Sequence, residues 1–157
     1  MKGVVDVVSG YSGGTAETAI YQLVVFGITS HAEVVQVRFD PTQISYGQIL
    51  RVYFSVAHDP TQVDRQGPDV GREYRSNIFF ADEGQGNVAR AYVAQLNAAG
   101  AFSRPIATRI DPLEAFYPAE DYHQDFLVKN PSDHYIVRYD LPLLAELQLL
   151  FPDLYRS

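Results

Sequence analysis

The segment Ser30-His31-Ala32-Glu33 places an imidazole and a carboxyl two positions apart, a pair able to move protons near neutral pH. Taken alone, Glu33 reads as a solvated glutamate at a strand end, and His31 as a structural hydrogen-bonding group. Asp69 lies in a loop flanked by Gly67 and Gly71, where small residues let the backbone come close to a ligand. Glu120, Asp121, His123 and Asp125 crowd four potential metal ligands into six positions. They lack the His-x-x-x-His or acidic-loop spacing that zinc or calcium requires, so they read as one polar helix without a metal. Tyr21 and Tyr74 are two of eleven tyrosines, and a single tyrosine is by default a packing residue. The chain has no cysteine, which removes thiolate nucleophiles, disulfides and thiolate metal ligands. No Gly-x-Ser-x-Gly elbow occurs, so a hydrolase built on Glu33 with His31 or Asp69 has no nucleophile.

These residues need elements to hold them, and 157 residues suffice for one domain with a hydrophobic core, expected to span 1–157. The balance of 46% hydrophobic and 20% charged residues is that of a folding chain. A formal charge of −7 with no basic patch argues against nucleic acid as a partner. No apolar run is long enough for a membrane span, and Met1-Lys2-Gly3-Val4-Val5-Asp6 is too short and too soon charged for a signal sequence, so a cytoplasmic location is expected.

The four valines from Gly3 to Ser9 predict a strand, followed by a flexible turn at Gly10-Tyr11-Ser12-Gly13-Gly14. A short helix is expected over Thr18–Phe26 and a strand over Glu33–Phe39. Ser45 stands three residues before Gln48, a capping box that opens a helix from Tyr46 to Ala57. His58–Tyr74 has no apolar period and reads as a long loop, of the kind that often carries function. Arg75–Phe80 and Ala107–Ile110 read as strands. Between them, Val88, Ala91, Tyr92, Leu96 and Ala99 mark a helix ending at Gly100. Glu120–Lys129 and Pro142–Leu150 read as helices, the second started by Asp140-Leu141-Pro142. Strands alternating with one-faced helices predict an α/β (α+β) two-layer sandwich.

Four blocks carry more glycine and polar residues than packing needs: Gly10–Gly14, Ser30–Glu33, Arg65–Ser76 and Ala119–Leu127. In this order and spacing they resemble the blocks G-Y-x-G-G, G-H-A-E, R-Q-G-N-D-x-G-x-Q-Y-R-S and A-E-D-Y-H-Q-x-Y-L of the class A peptide methionine sulfoxide reductases. The resemblance runs from about Gly3 through Pro131. It implies a ferredoxin-like α/β sandwich that reduces the S-epimer of methionine sulfoxide, in proteins or as free amino acid. In that family a cysteine thiolate attacks the sulfoxide sulfur and becomes a sulfenic acid, which a second thiol and then thioredoxin reduce. Position by position, it implies that Glu33 donates protons to the sulfoxide oxygen, that Tyr21 and Tyr74 hydrogen-bond the same oxygen, and that Asp69 orients substrate or water. No cofactor is implied beyond the thiol reductant.

The family nucleophile belongs to a Gly-Cys-Phe-Trp block placed before the strand that starts here at Gly3. The absence of both Cys and Trp fits a chain expected to lack the family's first strand and helix, with an exposed sheet edge as a consequence. Smaller departures are Ser30 for Gly, Pro68 for Asn, and Val24-Val25 where some relatives carry a recycling cysteine. The polypeptide is therefore expected to be inactive as written: either the truncated record of a reductase, or a pseudoenzyme that binds methionine sulfoxide or a protein partner without turnover.

Overall fold

The computed structural model describes residues 1–156. In chain order the elements are β1 (Val4–Ser12), α1 (Tyr21–Val25), β2 (Ala32–Phe39), α2 (Tyr46–Val52), β3 (Arg65–Gln66), β4 (Asp69–Val70), β5 (Asn77–Phe80), α3 (Glu83–Ala98), β6 (Arg109–Pro112), β7 (Phe116–Pro118), α4 (Phe126–Lys129) and α5 (Leu141–Leu150). Short 3-10 turns lie at Ala16–Thr18, Arg72–Tyr74 and Asp121–His123, and π-helical turns at Tyr53–Ala57 and Ile136–Asp140.

The strands form three separate sheets. β1 is the centre of an antiparallel sheet of order β2-β1-β7, β3 and β4 make a two-residue hairpin, and β5 pairs in parallel with β6. The mixed α/β character expected from the sequence is present. The valine-rich strand extends to Ser12 rather than ending before Gly10, because Gly10 and Tyr11 pair with Pro118 and Tyr117 of β7. A side chain at Gly10 would sit 2.4 Å from the Phe116 ring and the Tyr117 carbonyl, so the glycine serves close strand contact and not a loose turn. β7 itself escaped the sequence reading, since three residues ending in proline carry no period.

Ser45 caps α2 as its spacing predicts: its Oγ accepts the Gln48 N–H at 3.2 Å, and the Gln48 side chain accepts the Ser45 N–H at 2.9 Å. The helix widens to π geometry after Val52. α3 starts at Glu83, ahead of its apolar stripe, because Asp82 accepts the Gln85 N–H at 3.0 Å as N-cap. Leu50, Phe54 and Ala89 are the buried centre of the contact between α2, α3 and the β5–β6 pair, with Ile78, Tyr92 and Ile110 packed around them. Burial of Leu50 and Phe54 stabilises this layer by about 1.5–3 kcal/mol each. α5 covers the other side of the π turn through Leu143 and Leu147 against Val52, Val56 and Phe151.

Two expected helices are corrected. Thr18–Phe26 holds only α1, one and a half turns long, after a 3-10 turn. Glu120–Lys129 is not continuous: Asp125 adopts a left-handed conformation (φ 54°) between a 3-10 turn and α4. The break frees Gln124 to clamp β1, its amide donating to the Ser9 carbonyl at 2.9 Å and accepting the Ser9 N–H at 2.9 Å. Among the described residues no helix is long and apolar enough to cross a membrane.

Candidate functional site

Between the three-stranded sheet and β5 lies an open cleft of about 830 Å³. Glu33, Asp69, Tyr21 and Tyr74 all line it, so the four residues singled out from the sequence converge in space across 53 positions of chain. Each arrives from a different element: Glu33 from the start of β2, Tyr21 from the first position of α1, Asp69 from the hairpin, and Tyr74 from the 3-10 turn that leads into β5.

Solvent reaches Glu33 through the mouth of the cleft, yet the protein around it displaces enough water to disfavour the charged form. Burial first, then the negative charges of Asp69 and Glu73, raise its carboxyl to about 7. Such a group is half protonated at neutral pH and can deliver a proton to an oxygen in the cleft. The Tyr74 hydroxyl is pushed up from its ordinary value by burial and by the same carboxylates, with Tyr21 among the groups facing it. It therefore stays a neutral donor. Asp69 is held from the far side by Tyr135, whose hydroxyl donates to Asp69 Oδ2 at 2.5 Å. Tyr21 is fixed at both ends: its backbone N–H donates to Glu120 Oε1 at 3.0 Å, and its ring packs 4.4 Å from that of His123.

Glu120 and His123 of the cluster at 120–125 thus hold Tyr21 in place. Glu120 also accepts the Tyr11 hydroxyl at 2.8 Å, and Tyr11 is Glu33's partner across β1 and β2. His31 is structural: its Nε2 faces the Thr15 carbonyl at 3.0 Å, its ring contacts Tyr11 and Tyr117, and a side chain at Gly14 would collide with it. A carbonyl only accepts, so Nε2 carries the proton and Nδ1 is left buried without a partner. Arg75 braces the loop before Glu33, donating to the Ser30 and His31 carbonyls at 3.1 Å each.

Two site residues escaped the sequence reading. Tyr135 follows the last recognisable block with no pattern to mark it. Glu73 sits between Arg72 and Tyr74, where an acidic residue is ordinarily solvated; here it is 5% exposed, pressed against Gly27 and Gly71, with Oε2 unpartnered. A further buried network closes the other wall of the cleft. His58 Nδ1 faces the Tyr53 carbonyl at 3.2 Å and so is the protonated nitrogen; Nε2 then accepts the Ser76 hydroxyl at 2.6 Å. Ser76 has spent its one proton, so Tyr53 (3.1 Å) and Thr108 (2.7 Å) donate to it.

Residues 1–147 match the peptide methionine sulfoxide reductase family. The chain belongs to that family. It is 52% identical over 155 residues to peptide methionine sulfoxide reductase MsrA 2 of Mesorhizobium japonicum, an alignment that spans 99% of this chain and 80% of the relative. Among solved structures it resembles reduced Mxr1 of Saccharomyces cerevisiae (TM-score 0.77, 34% identity, 83% of this chain and 74% of that one). It also resembles methionine sulfoxide reductase A of Corynebacterium diphtheriae (TM-score 0.71, 40% identity, 84% and 66%). Within this reductase family the present sequence is one without cysteine, so the cleft it forms contains acids and phenols and no thiol.

Proposed function

We propose that this chain forms the substrate pocket of a peptide-methionine (S)-S-oxide reductase. Glu33 donates protons to the sulfoxide oxygen, the Tyr21 and Tyr74 hydroxyls hydrogen-bond it, and Asp69, tethered by Tyr135, orients substrate or water. The observation that carries this reading is the raised Glu33 carboxyl in a cleft shared with both tyrosines. Cleaving the S–O bond requires the oxygen to gain protons, and a carboxyl raised to about 7 is protonated in a large fraction of molecules at neutral pH and can supply one. The nucleophile is a cysteine on a strand and helix outside this sequence, in the ferredoxin-like arrangement the family motifs imply. That thiolate would attack sulfur, release methionine and become a sulfenic acid, which a second thiol converts to a disulfide with loss of water and thioredoxin then reduces. With no thiol of its own the present polypeptide binds and does not turn over, which is also the behaviour of a non-catalytic binder of methionine sulfoxide.

The test compares reduction of an N-acetylated S-epimer methionine sulfoxide amide, with dithiothreitol, by this polypeptide and by a version extended with a Gly-Cys-Phe-Trp strand and helix. Turnover by the extended form alone is expected. Failure of the extended, folded form, with no binding by either, would overturn the reading.

A further inference from the structure

Glu73 is a carboxylate that the proposed chemistry does not touch, and two turns from distant parts of the chain close around it. It is 5% exposed and its Oε2 has no hydrogen-bond partner. Among the described residues no ion pair reaches it, not even from the neighbouring Arg72, which is exposed. A Cβ on Gly71 would collide with this carboxyl, and one on Gly27, where the backbone is left-handed at φ 68°, would stand 3.3 Å from Oε2. The two glycines thus leave the carboxyl against bare backbone. The residues beside them are apolar and face solvent: Phe26 is 75% exposed, Ile28 70% and Val70 68%. Both turns adjoin the cleft. Tyr21 opens α1 at the cleft and Phe26 follows the helix's last residue, about 8 Å along its axis. Asp69 lines the cleft, and Val70, next on the strand, turns the other way. The influence of Glu73 on Glu33 as a like charge accounts for a carboxylate here but not for an apolar rim around it. A buried carboxylate oxygen without a donor is unfavourable, and a ligand that brings a donor recovers that loss.

We propose that Glu73, seated between Gly27 and Gly71 and rimmed by Phe26, Ile28 and Val70, is a subsite for an arginine side chain of the polypeptide substrate, two positions from its methionine sulfoxide. The guanidinium donates to the Glu73 carboxylate while the aliphatic stem lies along the rim. A planar, weakly hydrated cation also suits the Phe26 ring better than the compact ammonium of lysine does. Two residues of extended chain span about 7 Å, which matches the separation of the two ends of α1. A formal charge of −7 favours the approach of a basic segment. The inference deepens the proposed function and rests on it, because the register is counted from a sulfoxide held by Glu33 and the tyrosines.

The test measures binding to this polypeptide, which does not turn over, by fluorescence anisotropy of labelled glycine-serine heptapeptides with a central S-epimer methionine sulfoxide. Arginine, its neutral isostere citrulline, or alanine is placed two positions before the sulfoxide in one set and two positions after it in another. In one of the two sets the arginine peptide is expected to bind about tenfold tighter than the citrulline peptide, and that set gives the direction of the bound chain. In Glu73→Gln the ratio of arginine to citrulline affinity should fall to about two or less, whatever happens to binding of the sulfoxide itself. Phe26→Ser changes only an exposed side chain, and it should weaken the arginine and citrulline peptides relative to the alanine peptide, since both carry the stem. Equal binding of arginine and citrulline peptides in both sets, or a preference that persists in Glu73→Gln, would overturn the subsite and leave the pocket reading standing. Failure of every sulfoxide peptide to bind, alanine included, would overturn the pocket reading and this inference with it.

Discussion

Tyr11 donates its hydroxyl to Glu120 at 2.8 Å across 109 residues of chain, and the second oxygen of the same carboxylate takes the Tyr21 N–H. One side chain thus ties the central strand to the helix that presents a phenol to the cleft. Burial pushes the Glu120 carboxyl up, but the Tyr21 N–H, its own backbone and the Tyr11 hydroxyl outweigh that and leave it below its ordinary value. The folded state therefore binds fewer protons than the unfolded chain. Its contribution is present above about pH 4.3 and lost as pH falls.

Glu120→Ala is expected to cost about 1–2 kcal/mol in urea unfolding at pH 7, since two donors lose their acceptor in a partly solvated setting. Glu120→Gln should cost less, because the amide oxygen still accepts from Tyr21 and the Tyr11 hydroxyl can turn to accept from the amide nitrogen. Equal stability of all three proteins would show that the tie is incidental.

Glu73 is expected to set the acidity of Glu33 as a like charge nearby. In Glu73→Gln the Glu33 midpoint, read by carbon-13 carboxyl NMR, should fall from about 7 toward the ordinary glutamate range. The linkage has a definite sign. A carboxyl raised in the folded state binds more protons there than when unfolded, so its stabilising effect is full below about pH 4.3 and is lost as pH rises through 7. The difference in urea midpoint between wild type and Glu33→Gln should accordingly grow unfavourable to wild type across that window. An unchanged Glu33 midpoint in Glu73→Gln would leave burial and Asp69 as the causes.

The contrast between Glu33 and Glu73 shows what the sequence could convey. Glu33, Asp69 and Tyr74 were legible because each sits in a multi-residue block whose types are unusual for packing, whereas Tyr21 lies outside the blocks and was singled out only through the family resemblance. Glu73 and Tyr135 were not, because their roles depend on burial and on contacts 66 positions apart, which no local pattern encodes. The fold divides similarly. The Ser45 cap is local and was readable, whereas β7 exists only through its pairing with β1. The parallel β5–β6 pair was likewise not anticipated, since period-two patterning names strands without naming partners.

Gly10 supplies a test of that pairing. A methyl there would meet the Phe116 ring and the Tyr117 carbonyl at 2.4–2.5 Å, and the carbonyl belongs to a paired strand that cannot withdraw alone. Gly10→Ala should therefore cost at least about 1–3 kcal/mol through overpacking. Faster amide exchange should appear at 116–118 before the rest of the sheet. A neutral substitution would mean that β7 docks more loosely than its register with β1 indicates.

Ser76 offers the sharpest test of a proton assignment. Its hydroxyl can donate to His58 only while Nε2 is unprotonated, and burial already holds the His58 ring below its ordinary pKa. The folded state thus binds fewer protons at His58 than the unfolded chain, and stability from this group is lost as pH falls below about 6.5. Ser76→Ala removes the donor that favours the neutral ring and leaves the Tyr53 hydroxyl, the Thr108 hydroxyl and Nε2 without their shared partner. The variant should lose about 1–3 kcal/mol at pH 8, where the ring is neutral in both states. Its His58 midpoint, followed by proton NMR of the ring, should rise. A midpoint that stays in place while stability falls would mean that Ser76 fills space without holding the tautomer. A midpoint that falls would reverse the assignment and place the proton on Nε2.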